Sequence, residues 1–142
     1  MEHYFDAASG TYLLVLHKGE ELMRALDEFA VAQDLRGAWV DIVGGASGAT
    51  LGYYDPVAKA YEWRSFDEDL EITGLHGNLA LVDGVPMWHV HGTFSRADFS
   101  VLGGHVKECR IGLTGEVMLT PRQLRLTRVY DDETGLKLLA AP

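Results

Sequence analysis

The amino-acid sequence predicts an α+β fold, with one main helix packed against a largely antiparallel, strongly curved sheet of about 7–10 strands. Three observations support this prediction. One segment has apolar residues at helical spacing, many short apolar runs are separated by turn residues, and 16 glycines punctuate the chain. Because the 142 residues contain no linker and no internal repeat, we expect a single domain over residues 1–142.

The first predicted elements are a strand, the helix and a second strand. Residues 11–17 (TYLLVLH) are apolar without alternation, which predicts a strand buried on both faces. A helix is predicted over about residues 20–33, with Glu20 and Glu21 in its first turn, where the helix dipole favours anions. Its apolar face consists of Leu22, Leu26, Phe29 and Ala30. Residues 38–43 (AWVDIV) predict the next strand.

The rest of the chain is predicted to form strands and turns. Residues 44–48 (GGASG) are predicted to be a loop between strands, because no Gly-Lys-Ser/Thr ending and no helix follow, as a phosphate-binding loop would require. The last two predicted strands form a hairpin. In chain order, the strands after this loop are residues 50–54, 61–66, 70–82, 87–94, 104–112, 116–120, 124–130 and 136–139.

Composition restricts the class of partner and the compartment. The formal net charge of −9 excludes binding of nucleic acid through bulk positive charge. A single cysteine, Cys109, permits no intramolecular disulfide and fits a reducing compartment. The acidic N-terminus lacks the apolar region of a signal peptide, and no apolar run approaches the roughly 20 residues that span a bilayer. We therefore expect a soluble cytoplasmic protein without membrane partners.

Two histidines in residues 87–94 (MWHVHGTF) are candidate metal ligands. Alternation along a strand places Trp88, Val90 and Phe94 on a core face. His89 and His91 share the opposite face, with Cβ atoms about 6.5–7 Å apart. Two imidazoles at that separation can lean together onto one ion.

A third ligand would come from a neighbouring strand, and His105, after Gly103 and Gly104, is the candidate. Three neutral imidazoles suit a divalent ion, with zinc as the first candidate and iron, nickel or copper also compatible. Three protein ligands leave a coordination position open, as a metal hydrolase or lyase needs. A hydrogen-bonded polar cluster without metal is the alternative interpretation.

Several segments, in order along residues 12–126, resemble the PPC domain, the plants and prokaryotes conserved domain. The segments are residues 19–22 (GEEL), 43–55 (VGGASGATLGYYD), 70–78 (LEITGLHGN), 89–91 (HVH) and 103–106 (GGHV). The resemblance implies one helix on an antiparallel sheet, a homotrimer, and, in some members, a metal at the histidine cluster. The chain resembles in particular the bacterial members of the family, which consist of this domain alone.

The resemblance also implies partner binding, and bacterial members often carry a DNA-binding label. In plants the DNA-binding element is an AT-hook preceding the domain, and no Arg-Gly-Arg-Pro hook occurs in this chain. Direct nucleic-acid binding is therefore not expected. The leading hypothesis is a homotrimeric, metal-binding protein that also has protein partners. The alternatives are a DNA-associated regulator and a metal-dependent enzyme acting on a small polar or anionic substrate.

Three further features need a role or a structural explanation. Glu71, at the acidic position of a PPC-like segment, is a candidate general acid or base, or a hydrogen-bond partner of a ligand histidine. An interface residue, or a polar residue satisfied by ordinary hydrogen bonds, is the alternative. Arg122, Arg125 and Arg128, with Lys137, predict a solvated, partly paired face. Cys109 is expected to be a small core or interface residue.

Overall fold

The computed structural model describes residues 1–140 and contains nine strands and one helix in that range. This confirms the α+β class and the predicted range of strand number. The helix, α1 (Leu22–Ala32), lies between the second and third strands. The strands are β1 (Glu2–Asp6), β2 (Thr11–His17), β3 (Ala38–Asp55), β4 (Ala60–Phe66), β5 (Leu70–Val82), β6 (Val85–Ser95), β7 (Val101–Pro121), β8 (Thr127–Asp131) and β9 (Leu136–Ala140).

Four strands form a closed circuit of antiparallel neighbours, in the order β3, β5, β6, β7 and back to β3. The circuit closes because β3 and β7 are long, with 18 and 21 residues, and pair with each other along most of their lengths. β1 and β2 extend the sheet beside β7, and β4 pairs with β3. The β8–β9 hairpin joins β5 through one parallel pair, Leu81 with Thr127, so the sheet is mixed but mostly antiparallel.

The predicted loop at residues 44–48 is wrong, because these residues continue β3 through a bulge. Strand register shifts between Ile42 and Gly44, and again on each side of Ala46. Gly44 has a φ of 149°, and a Cβ atom built there would lie 2.1 Å from the Thr114 carbonyl oxygen. A bulge bends a strand without ending it. The predicted strands 104–112 and 116–120 likewise join into the single strand β7.

The helix covers the inner face of the sheet. Its buried residues are Leu22, Ala25, Leu26, Phe29 and Ala30. The helix begins one residue after Glu21, so both glutamates precede the first turn. The Glu21 carboxylate accepts hydrogen bonds from the N–H groups of Met23 at 3.1 Å and Arg24 at 2.7 Å. The same carboxylate accepts from the Cys109 N–H at 2.9 Å, which ties the helix start to β7. Cys109 is fully buried, as predicted.

In the part of the chain that the structure describes, residues 1–140, no helix lies on the outer face of the sheet. As a result, β2 alternates between buried and exposed residues, with Leu14 and Leu16 fully buried and Leu13 37 % exposed. The prediction that β2 is buried on both faces is therefore wrong. Within residues 1–140, the 11-residue helix α1 is too short to cross a bilayer.

Candidate metal centre

The three candidate histidines meet on the outer face of the sheet. His89 and His91 lie on β6 and alternate with Trp88 and Val90, which are 6 % and 0 % exposed on the inner face. His105 lies on β7 and is the register partner of His91. Strand pairing therefore brings the third histidine next to the first two, as the sequence predicted.

The geometry of the cluster is that of a small polyimidazole site. The Nε2 atoms of His89 and His91 are 2.9 Å apart. The His105 ring centroid lies 5.2 Å from that of His89 and 5.3 Å from that of His91. One ligand nitrogen from each ring lies within 4.8 Å of the others, a separation from which small rotations can close the rings onto one ion.

Aromatic side chains from β4 flank His105. The Tyr61 ring centroid is 5.0 Å from that of His105, and Trp63 approaches the same ring edge-on at 5.9 Å. Gly52, the register partner of His105, makes room for these rings. A Cβ atom at Gly52 would lie 2.6 Å from the Trp63 ring. The glycine therefore allows an aromatic wall to stand directly beside the cluster.

Burial keeps the three imidazoles neutral at neutral pH. Desolvation lowers the pKa of His89 to about 4, and the nearby Arg128 guanidinium contributes to the same direction. Desolvation also lowers the pKa of His105 to about 4, with His91 and Arg128 as smaller causes. The pKa of His91 is lowered by desolvation as well. Neutral imidazoles have the free lone pair that metal coordination requires.

Arg128 lies against the cluster, and the prediction of a solvated face is wrong for this residue. Its Nη2 donates to Asn78 Oδ1 at 2.7 Å and approaches His89 Nδ1 at 3.3 Å. Burial lowers the pKa of the guanidinium, although an arginine stays charged in proteins. The sequence carried no signal for this contact, because it depends on how the β8–β9 hairpin docks beside β5.

An open cavity of about 390 Å³ adjoins the histidines. Beside the histidines it contains a second polar pair, since His76 Nδ1 lies 2.6 Å from Asp41 Oδ1. Asp41, His76, His91 and His105 occupy consecutive register positions across β3, β5, β6 and β7. Sequence reasoning missed Asp41 and His76, and only the strand register could have revealed them. The cavity is lined by Trp39, Asp41, His76, Asn78, His89 and His91, among others.

Glu71 is not close to the histidines. It is on β5, five positions before His76, which corresponds to roughly 16 Å along a strand. Its register partner on β6 is Ser95, and it lines a different cavity with Lys18 and Arg96. The prediction that Glu71 supports a ligand histidine is therefore wrong, because the acid and the histidines lie too far apart along the strands.

The donor set fits a divalent metal ion. Three neutral nitrogen donors match the ligand preference of zinc and of several neighbouring transition metals. Nδ1 of His105 is buried and has no hydrogen-bond partner among residues 1–140. An orphaned imidazole nitrogen is costly to bury unless a ligand or a proton partner satisfies it. The residues present therefore suit a bound ion, with His89, His91 and His105 as its ligands.

The fold and the site together define a class of strand-rich domains with one helix and a histidine cluster on the outer face of a closed sheet. The profile of the Plants and Prokaryotes Conserved (PCC) domain matches residues 5–122. The chain belongs to this family, the PPC family of the sequence-based resemblance. No curated protein matches the chain.

Solved structures share this fold over nearly the whole chain. One is named a "putative DNA-binding protein" from Ralstonia eutropha, with 28 % identity and a TM-score of 0.90 over 99 % of this chain and 96 % of that one. Another is a metal-containing protein from Archaeoglobus fulgidus, with 29 % identity and a TM-score of 0.86 over 99 % of both chains. A PPC protein from Pyrococcus horikoshii has 25 % identity and a TM-score of 0.86 over 99 % of this chain and 96 % of that one.

Proposed function

We propose that this protein is a homotrimeric PPC-domain protein that binds a divalent metal ion through His89, His91 and His105, with zinc as the first candidate. The observation that carries the proposal is the convergence of three neutral imidazole nitrogens within 4.8 Å beside an open cavity. A similar protein of known structure is named as metal-containing. Three protein ligands leave coordination positions free for a small molecule.

Metal analysis tests this proposal. Untagged wild-type protein, expressed in medium with zinc and passed through a desalting column, is expected to retain about one ion per chain. The His89→Ala/His91→Ala variant is expected to retain almost none. His3→Ala/His17→Ala is the matched control, because it removes two exposed histidines from β1 and β2. Equal and low metal content in wild type and in the cluster variant would refute the metal site.

Self-association is supported by the uncovered outer face of the sheet. Leu13, Trp39, Val43 and Met118 are apolar and 37 %, 41 %, 52 % and 50 % exposed on β2, β3 and β7. Trp39 also lines the cavity beside the histidines. Several exposed apolar side chains on one face of a sheet are typical of an interaction site. The PPC resemblance implies that the partner is a second and third copy of the chain.

Light scattering coupled to size-exclusion chromatography tests the trimer. Wild type is expected at three times the chain mass of 15.7 kDa. Val43→Lys is expected to shift the protein toward monomer, because a lysine in an apolar interface is costly. Val57→Lys is the control, since Val57 is 92 % exposed in the turn between β3 and β4. A monomeric wild type at micromolar concentration would contradict this part of the proposal.

A metal-dependent enzyme on a small polar or anionic substrate is a second candidate function. The His76–Asp41 pair favours it, because this pair lines the same cavity as two ligand histidines and could position water or substrate. The test is turnover of a panel of small esters by zinc-loaded protein. Activity lost both with a chelator and in His76→Gln would support the enzyme. Equal activity in His91→Ala would exclude the metal centre as its cause.

Direct DNA binding is the function that the name of one relative suggests. The net charge of −9 opposes it, because binding to phosphates draws on lysine and arginine. We expect no complex with duplex DNA at micromolar protein and low salt, measured by fluorescence anisotropy. Binding that weakens steeply as salt rises would instead favour the DNA-associated function.

A further inference from the structure

Arg128 lies beside the histidine cluster and has no negatively charged partner among residues 1–140. All three of its contacts are with neutral acceptors, namely Asn78 Oδ1, His89 Nδ1 and, at 3.3 Å, the Lys137 carbonyl oxygen. Its Nε atom is buried without a hydrogen-bond partner. Within residues 1–140 no carboxylate forms an ion pair with Arg128. A half-buried cation among neutral acceptors is unfavourable, so this position favours a negative charge.

The Arg128 contact determines where the protons of two histidines lie. A guanidinium can only donate, so His89 Nδ1 accepts and the neutral His89 ring carries its proton on Nε2. That Nε2–H then donates to His91 Nε2 at 2.9 Å. Arg128, His89 and His91 therefore form a chain of hydrogen bonds in one direction.

This series of hydrogen bonds is incompatible with a metal ion on Nε2 of His89. Coordination needs the Nε2 lone pair, which moves the ring proton to Nδ1. Nδ1–H would then face the Arg128 guanidinium, a second donor, across 3.3 Å. Asn78 Oδ1, which belongs to the register partner of His89 and now accepts from Arg128, is the neighbouring acceptor for Nδ1–H. Metal binding would thus deprive Arg128 of one or both of these acceptors.

An anion could replace what Arg128 would lose. An imidazole that coordinates a metal ion is a neutral ligand, so the three histidines would not offset the charge of a divalent ion or of Arg128. Asp41, the carboxylate that lines the cavity, is already engaged by His76. A ligand with oxygens for both the ion and the guanidinium would satisfy both cations. Carboxylates and phosphates both match the planar, two-donor edge of a guanidinium, and the singly charged carboxylate is the simpler candidate, with phosphate as the competing outcome of the test.

We propose that the metal-loaded centre binds a small carboxylate ligand and that Arg128 is the residue that recognises it. The inference rests on the proposed metal site and specifies its ligand class. Arg128 acts as a specificity residue, placed at the cluster by the β8–β9 hairpin, which lies outside the part of the chain matched by the family profile.

Cobalt-loaded protein tests this inference, because the visible spectrum of Co²⁺ changes when its coordination changes. Acetate, inorganic phosphate and chloride are titrated separately at constant ionic strength into wild type, Arg128→Gln and Arg128→Lys. Arg125→Gln is the matched control, since Arg125 precedes β8 and lines another cavity. Cobalt affinity is measured for each protein in parallel.

We expect acetate to change the visible spectrum of the cobalt-loaded wild type. The dissociation constant of acetate should rise about 10- to 100-fold in Arg128→Gln. Arg128→Lys should recover only part of the loss, because lysine keeps the charge without the planar pair of donors. Cobalt affinity should stay equal or increase, because the competing donor to His89 is gone.

Four results would overturn the inference. Two concern acetate: no change in the wild-type spectrum, or unchanged acetate affinity in Arg128→Gln. The third is binding of phosphate or chloride as tight as that of acetate. The fourth is a cobalt affinity that falls in parallel with acetate affinity, because this would indicate that the arginine is only structural. A wild type that takes up no cobalt would refute the metal site itself and is recognised before any anion is added.

Discussion

The two faces of β6 differ in burial and in chemistry, although they belong to one strand. On the inner face, Val90 and Phe94 are fully buried against the core, and Trp88 is 6 % exposed. On the outer face, His89 and His91 are incompletely buried and lie beside His105 and an open cavity. The inner face packs into the hydrophobic core, while the outer face lies beside nitrogen donors and a guanidinium.

The difference teaches where stability and chemistry are located in this fold. Apolar burial on the inner face supplies free energy of folding in proportion to the area removed from water. The outer histidines gain little from burial, and their pKa values are depressed because desolvation disfavours their charged forms. The two faces should therefore respond to mutation in different measurements, one in unfolding and the other in ligand binding.

Phe94→Ala should have the largest effect on stability. The side chain is fully buried, so its removal leaves a cavity and should lower the free energy of unfolding by about 3–5 kcal/mol. Urea denaturation of metal-free protein measures the change, with Thr93→Ala on the outer face of β6 as control. Near-equal stability of the two variants would show that the faces are not energetically distinct.

His91→Ala should affect binding rather than folding. Loss of one of three ligands should raise the zinc dissociation constant at least about 100-fold, which corresponds to roughly 2.7 kcal/mol. The free energy of unfolding of the metal-free protein should change by only about 0.5 kcal/mol, because His91 is exposed. Competition with a chromophoric chelator and urea denaturation give the two numbers. A large loss of metal-free stability would mean that the outer face is structural.

Gly92→Ala tests the contrast within β6, because it adds a single methyl group to the inner face at the position after the candidate ligand His91. A Cβ atom there would lie 1.9 Å from Leu75 Cδ2, and Leu75 is fully buried. Overpacking should reduce the free energy of unfolding by about 1–3 kcal/mol. In conditions where the variant is folded, zinc affinity should remain close to wild type. Thermal unfolding and metal titration check both statements.

Metal-free stability should depend on pH through the outer-face histidines. His89 and His105 have folded pKa values of about 4 against 6.5 for the ordinary group. The unfolded chain therefore binds more protons than the folded chain between pH 6.5 and 4, so stability should fall as pH falls through this window. The fall should be smaller in His89→Gln/His105→Gln, measured by thermal unfolding with a chelator present. Equal falls in both proteins would contradict the depressed pKa values.

Much of the fold followed from local patterns. The apolar spacing of residues 20–33 predicted the helix, and residues 70–82 predicted β5 with its observed bounds. The Asp83-Gly84 turn signal marks the end of β5, and both residues have positive φ angles in the structure. Glycine-rich residues 44–48 misled the prediction, because glycines mark a bulge as readily as a loop.

The candidate site was only partly predictable. The Gly-Gly-His segment indicated the third histidine because its strand could pair with β6. The sequence predicts a solvated face for Arg128 because acidic residues 131–133 follow closely, and the contact with His89 spans 39 positions and leaves no local signal. Glu71 was placed near the histidines through a motif, and the strand register put it elsewhere.

Local sequence alone was enough to predict which side chains share a face, including the placement of His89 and His91 opposite Trp88 and Val90. Alternation is a property of the extended backbone and needs no distant partner. Only the tertiary structure decided that the sheet closes from β6 through β7 to β3, that Asp41 and His76 align with the histidines, and that Arg128 lies against them. Those contacts depend on strand register and on docking between segments far apart in the chain. Both are set by the summed packing and hydrogen-bonding energies of many residues.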